Sequence, residues 1–300
     1  VNLPPAVREA VESAIEDRTG RSVGIARVRP VGGGCISPTA RIETEDGAPF
    51  FLKWGSSELP AGMLEAEAVG LRALASAETL RVPAVFGAGG DGAAVWLLME
   101  WLPPGRPTAD TWSRLGRGLA GIHRRRSNRF GAESDNYIGP LPQSNQESDD
   151  WAEFWRNRRL GPQVAMAMDG GRLGASDGRR FDALFGQMDA LLAPAAEDGP
   201  SLLHGDLWNG NVHIMEGGEP AVIDPSAYHG HREVDLAMAE LFGGFDHGFQ
   251  VAYNEVWPLA PGYAPGRRAV YQLYYLLVHV NLFGASYVAG TRNALAAAGV

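Results

Sequence analysis

Lysine is nearly absent from this chain. Of 26 basic residues in 300, only Lys53, in the stretch "PFFLKWG", is lysine, and the other 25 are arginine. Position 53 therefore stands out as one where arginine does not serve. Cysteine is equally scarce. The single Cys35 excludes an intrachain disulfide, and a chain of this size without staples suits a reducing, cytoplasmic setting. Basic excess is lacking too: the formal net charge of −9 repels polyanions and argues against nucleic acid as a partner. No long uninterrupted apolar run is present. The opening "VNLPPAVREAVESAIEDR" reads as a turn and an amphipathic helix rather than a signal peptide, and "AVYQLYYLLVHVNLFGASYV" carries Gln272, His279 and Asn281. That segment is expected to be a buried helix of a large lobe, with no membrane contact. Repeats and low-complexity tracts are also missing. What remains is a length suited to two ordinary domains or one two-lobed enzyme, with 45% hydrophobic residues to fill a core.

The first hundred residues alternate short strands and turns. "VGIARVRP", "TARIETE" and "PFFLKW" predict an antiparallel meander, with the glycine-rich "VGGGCIS" between the first two strands. "LPAGMLEAEAVGLRALAS" places Met63, Leu64, Ala68, Leu71 and Leu74 at helical spacing, which predicts one helix packed on that sheet. "RVPAVFGAG" and "AAVWLLME" supply two more strands, and the three prolines of "WLPPGRP" read as a linker between lobes. Beyond it the pattern is mainly helical, interrupted by two strands and a glycine turn in "NVHIMEGGEPAVIDP". The expectation is an α+β, two-lobed fold: a small antiparallel-sheet lobe over residues 1–102 that binds nucleotide, and a larger, mainly helical catalytic and substrate lobe over 103–300.

The β interruption holds the chemistry. "LLHGDLWNGNV" puts Asp206 five residues before Asn211, and "VIDP" puts Asp224 thirteen further on. In the protein-kinase pattern H-R-D-L-x-x-x-N the catalytic Asp likewise precedes a metal-binding Asn by five, and a later Asp holds the other magnesium. A loop leaving a strand can aim one carboxylate at an acceptor hydroxyl, while the following hairpin returns a second to the phosphate oxygens. Asn211 and Asp224 would then share a hard cation that prefers oxygen donors. His204 alone could equally be a buried residue that shapes the loop.

This arrangement accounts for the lone lysine. A third-strand lysine grips the nucleotide phosphates and pairs with a helix glutamate, and a compact ammonium fits between phosphate and carboxylate where a planar guanidinium needs other geometry. Glu65 and Glu67 are the candidate partners; Glu67 keeps helical spacing with Leu64, Leu71 and Leu74 and is preferred. Gly32, Gly33 and Gly34 occupy the place of a phosphate-covering loop, although a plain hairpin turn fits them as well. Cys35 on that loop is a candidate for oxidation or for a disulfide between two chains, so either a monomer or a Cys35-linked homodimer is compatible. For adenine, "LLMEWLPP" offers Met99 as an apolar wall, with the Glu100 carbonyl and Leu102 amide as hydrogen-bond partners.

The segments "LLHGDLWNGNV", "VIDPSAYHGHREVDLAM", "LFGGF", "SDNYIGPLPQSN", "WAEFWRNRRLGPQ" and "LVHVNLFG" resemble the fructosamine-3-kinase (ketosamine kinase) family, within the larger group of protein-kinase-like and aminoglycoside phosphotransferases. The likeness runs from Gly32 to about Tyr287. Its most specific element is the Trp after the catalytic Asp, which related aminoglycoside and choline kinases usually lack. The resemblance implies ATP- and Mg²⁺-dependent phosphorylation of the 3-hydroxyl of a ketosamine, free or on a glycated protein. Asp206 would be the base, Asn211 and Asp224 the cation ligands, Lys53 with Glu67 the phosphate clamp, and Trp208 a flat face against the sugar. His279 and Asn281 in the terminal helix would touch substrate, although Val280 and Leu282 depart from the more polar family pattern there. Two other readings stay open: a phosphotransferase for another small alcohol, such as an aminoglycoside or choline, and a nucleotide-binding module without turnover.

Overall fold

The computed structural model of the protein describes residues 2–32, 37–56, 59–90 and 94–300. Its N-terminal part begins with α1 (Pro5–Thr19), followed by β1 (Ile25–Pro30), β2 (Thr39–Thr44), β3 (Pro49–Ser56), α2 (Met63–Ala75), β4 (Val85–Gly90) and β5 (Ala94–Glu100). The five strands form one antiparallel sheet in the order β1-β2-β3-β5-β4. Side chains of a strand alternate between faces, so one run serves two purposes. Phe50, Leu52 and Trp54 pack on one side with α1, whereas Phe51 and Lys53 turn to the other.

Two helices, rather than the single one expected, cover this sheet. Val7, Val11 and Ile15 recur every four residues of α1 and are fully buried against the outer face, where each contributes roughly 1.5–3 kcal/mol of apolar burial. On the inner face, Leu64, Ala68, Leu71 and Leu74 of α2 pack with Val95, Leu97 and Met99 of β5.

The remainder is mainly helical: α3 (Thr111–His123), the hairpin β6 (Asn136–Ile138) and β7 (Leu141–Gln143), and α4 (Trp151–Phe154), which runs through a π-helical stretch (Trp155–Leu160) into α5 (Gly161–Asp169). Then come α6 (Ala175–Leu192), α7 (Pro194–Asp198), β8 (Ser201–Leu203), β9 (Val212–Ile214), β10 (Pro220–Val222), β11 (Tyr228–Gly230), α8 (Glu233–Phe242), α9 (His247–Val256), α10 (Arg268–Phe283) and α11 (Val288–Ala297). The apolar segment that raised the membrane question is α10, whose Tyr271, Leu273, Tyr274, Leu277 and Val280 lie in the core of this lobe. Among the described residues no helix is long and apolar enough to cross a membrane.

The sheet and the helical lobe meet through backbone as well as side chains. Arg81 pairs in parallel with Ala221 of β10, and Pro104 pairs antiparallel with Met215 just after β9. Gly105 N–H donates 2.7 Å to the Ile214 carbonyl.

Candidate active site

The strand alternation that sends Lys53 to the inner face also brings it under α2. Glu67 lies one turn beyond Leu64 and Met63, on the side of α2 turned toward the sheet. Lys53 Nζ donates 2.8 Å to Glu67 Oε1 and also pairs with Asp224, with 8% of the lysine side chain exposed. Burial acts to lower the lysine pKa, but the facing carboxylates outweigh it and hold the ammonium above its ordinary value. Burial pushes Glu67 upward, against the pull of the Lys53 charge. Glu65, the other helix candidate, forms no ion pair among the described residues.

The catalytic-loop residues are assembled between β8 and β10. Asn211 Nδ2 donates to the Asp206 carbonyl at 2.8 Å and to Asp206 Oδ2 at 3.1 Å, which sets both the loop and its carboxylate. Burial raises the Asp206 pKa to about 7, opposed by that Asn211 hydrogen bond. Asp224, at φ +55°, holds a left-handed conformation that short polar side chains tolerate best, and the turn delivers its carboxylate to Lys53. His204 is buried and neutral, its Nε2 donating 2.9 Å to the Ile223 carbonyl just before Asp224.

The loop is also held from α8, by a residue whose role the sequence pattern does not reveal. Asp235 of α8 accepts the backbone N–H groups of His204 at 2.7 Å and Gly205 at 2.9 Å, and His123 Nε2 donates to it at 3.1 Å. Burial acts to raise its pKa, yet the His123 hydrogen bond keeps it below the usual carboxylate range. Burial likewise keeps His123 neutral, with Nδ1 accepting from the Tyr253 hydroxyl at 2.7 Å.

These groups open on a cavity of about 730 Å³ between sheet and helical lobe. Lys53, Glu67, Asp206, Asn211 and Asp224 all line it, as do Gly32, Met99, Glu100 and Leu102. His213 Nε2 donates 3.0 Å to the Leu102 carbonyl, and the Glu100 carboxylate pairs with Arg81. Gly33, Gly34 and Cys35 lie outside the described residues. Trp208 stands at the mouth, 37% exposed, with its ring over Gly210; a Cβ on that glycine would lie 2.3 Å from the indole. The β6–β7 hairpin forms a wall that short strands gave no sign of in the sequence. Tyr137 lines the cavity, its hydroxyl donates 2.8 Å to the Ala61 carbonyl ahead of α2, and its carbonyl accepts from Ser226 Oγ at 2.7 Å.

The two terminal-helix positions part company. Residues two apart on a helix point about 200° from one another, so both cannot face the cleft. Asn281 points into the core, where its amide donates to the Gln163 carbonyl at 3.0 Å and to Gln163 Oε1 at 2.8 Å, so it lies away from the cavity where a substrate contact was expected. His279 is not a wall of the cavity either. It sits among the rings of Phe242, Phe283 and Tyr287, at 4.8, 5.4 and 4.9 Å, and Phe242 and Phe283 are 40% and 62% exposed. Gly244, two residues beyond Phe242, lies close to the side chain of Asn209, which follows Trp208 in the chain.

The donor set suits a hard divalent cation. With the Asn211 amide nitrogen committed to Asp206 and to the Asp224 carbonyl, its oxygen is the atom left to coordinate, beside the Asp224 carboxylate. Among the described residues no cluster of three or more His, Cys, Asp or Glu could cage a metal alone. Two protein oxygens fit an ion such as Mg²⁺ that keeps waters and phosphate oxygens in its shell.

Comparison with known proteins agrees with this geometry. Residues 7–298 match the fructosamine kinase family. A probable ketoamine kinase of Synechocystis sp. is 39% identical over 284 residues, 94% of each chain. A chloroplastic protein-ribulosamine 3-kinase of Arabidopsis thaliana is 39% identical over 277 residues, 89% of this chain and 81% of that one. The crystal structure of a candidate fructosamine-3-kinase from Thermobifida fusca superposes with a TM-score of 0.84 at 39% identity, over 96% of this chain and 98% of that one. The two-lobed arrangement is shared more widely with solved kinase-like phosphotransferases. Matched over residues 7–298 and 39% identical to a relative across nearly its whole length, this chain belongs to the fructosamine kinase family.

Proposed function

We propose that the protein transfers the γ-phosphoryl group of ATP to the 3-hydroxyl of a ketosamine. One observation carries the reading: Lys53, Glu67, Asp206, Asn211 and Asp224, drawn from both lobes, converge on one cavity with a half-exposed tryptophan at its mouth. Adenine would lie against Met99 and the backbone at Glu100 and Leu102, with Gly32 on the phosphate side of the cavity. Lys53, steadied by Glu67, neutralises phosphate charge. Asn211 and Asp224 would hold Mg²⁺, which when bound would supply positive charge to the phosphate oxygens. Asp206 orients the acceptor hydroxyl and takes its proton, and a pKa near 7 suits that task. Residues 1–102 and 103–300 act as the nucleotide and acceptor lobes.

Trp208 offers an apolar face to the C–H groups of the sugar. The rings around His279, beyond it, receive the amine-bearing arm of the ketosamine. Phosphate at C3 is a leaving group β to the acidic C1 position: loss of the C1 proton and of phosphate leaves an imine at C1, which water hydrolyses to free the amine, so the outcome is deglycation. The acidic residues of the cavity favour this acceptor over a polycationic aminoglycoside, because each already has a partner: Glu67 and Asp224 hold Lys53, Glu100 holds Arg81, and Asp206 holds Asn211. A coupled ATP-consumption assay over ribulose-lysine, fructose-lysine, an aminoglycoside and choline tests the reading. Turnover with the ketosamines is expected; turnover confined to the aminoglycoside or choline would overturn it.

A further inference from the structure

Three tyrosines crowd the buried face of α10, and their hydroxyls go to three different places. Tyr271 Oη accepts the Trp151 indole N–H at 3.0 Å and meets His231 Nδ1 at 2.7 Å. Tyr274 Oη donates 2.6 Å to Gln143 Oε1. Tyr275 reaches the catalytic loop: its Oη donates 2.7 Å to the carbonyl of Gly205, the peptide unit that carries Asp206.

That peptide needs an anchor. Gly205 stands at φ +81°, and a Cβ there would lie 2.1 Å from the Ser226 carbonyl oxygen, so only glycine fits. Glycine leaves the backbone free to rotate. Asp235 holds the N–H groups on the preceding side of the loop, at His204 and Gly205. On the following side, the Asp206 N–H makes only a 3.3 Å contact with His204 Nδ1, so the Tyr275 hydroxyl is the short hydrogen bond that sets the plane of the Gly205–Asp206 unit. Burial holds the phenol protonated, so it remains a donor throughout the working pH range.

We infer that Tyr275 is a positioning residue for phosphoryl transfer, fixing the aim of the Asp206 carboxylate through the Gly205 carbonyl. The inference rests on the reading of Asp206 as the base. Tyr275→Phe keeps the ring and its packing but leaves the carbonyl of a glycine-hinged peptide without its partner. A displacement of the base by a fraction of an ångström is then expected to lower kcat roughly tenfold or more.

The test compares Tyr275→Phe with Tyr271→Phe, which removes an equally buried hydroxyl of the same helix, in the full chain. Steady-state kinetics, melting temperature and equilibrium ATP binding are measured, with ATP binding used to count competent sites so that a partly folded preparation still yields a kcat per site. The expected result is a drop in kcat for Tyr275→Phe with ATP affinity within about twofold of wild type, while Tyr271→Phe keeps kcat within about twofold despite a comparable loss of melting temperature. Equal kcat per site in the two variants, or a loss of ATP affinity that matches the loss of kcat, would overturn the inference. Asp206→Asn separates the two levels. If it retains turnover, the base assignment fails; if it is inactive while Tyr275→Phe is fully active, only the role of Tyr275 fails.

Discussion

Lys53 Nζ lies 2.8 Å from Glu67 Oε1 and at the same time contacts Asp224, which is 171 residues further along the chain. One ammonium therefore joins the sheet, the helix above it and the turn that follows the catalytic loop. The two carboxylates converge on one buried point, which suits a compact ammonium better than a forked guanidinium, whose donors diverge in a plane. Lys53→Arg is expected to keep the charge and lose at least ~100-fold in kcat/KM, about 2.7 kcal/mol of transition-state stabilisation. Near-normal activity in that variant would remove the geometric explanation for the lone lysine.

Asp206 sets stability and activity against each other. Its folded pKa is raised to about 7, whereas an unfolded aspartate titrates near ~3.9. As pH climbs, the unfolded chain gives up its proton first, so the native state loses relative stability between about pH 4 and pH 7. Asp206→Asn, which carries no charge, is expected to melt above wild type at about pH 8 by a few degrees and to match it near pH 4. The same variant should lose at least ~10²-fold in turnover. Wild-type activity should fall as the pH drops through about 7, because Asp206, as the proposed base, must be ionised to take a proton. Calorimetry and a pH–rate profile check both signs; a variant that melts below wild type at the higher pH speaks against the buried-carboxyl account.

Trp208 is a test of the acceptor side alone. Trp208→Ala should raise KM for a ketosamine roughly tenfold, about 1.4 kcal/mol, and leave KM for ATP unchanged. Parallel changes in both constants would mean that the ring supports the loop rather than the sugar.

Away from the cavity, the greatest single sensitivity is expected at a buried ion pair. Arg267 donates twice to Glu233, at 2.7 Å from each nitrogen, and Glu233 is fully buried. Arg267→Ala strands that carboxylate and should cost about 3–5 kcal/mol, a fall in melting temperature on the order of ten degrees. Replacing both residues by methionine should recover most of the loss. A single variant as stable as wild type would show that the pair contributes little.

Much of this was legible in the sequence where periodicity is strong. The alternation through Phe50 to Trp54 and the three- and four-residue spacing from Leu64 to Leu74 locate β3, α2 and the facing pair Lys53 and Glu67 from the sequence alone. The three-residue strands β6, β7, β8 and β11 were not legible, because a period of two has too few repeats in them to register, whereas the equally short β9 and β10 show through the glycine turn between them. Tyr137 was lost with them. Asp235 escaped for another reason: its partners are backbone amides, which leave no mark in composition. The resemblance alone suggests His279 and Asn281 as substrate contacts; it does not carry the helix phase, in which two steps reverse the direction of a side chain and turn Asn281 toward Gln163.

The proline-rich connection at residues 101–107 looks in sequence like a tether that could be cut. In the fold, Pro104 and Gly105 are stitched to the strand that follows Asn211, and Arg81 is stitched to the strand that precedes Asp224. Exchanging acceptor modules among relatives by splicing after Leu102 would leave both seams mismatched. Grafts that carry residues 81 and 101–107 together with their partners on β9 and β10 would preserve the register in which nucleotide and acceptor meet.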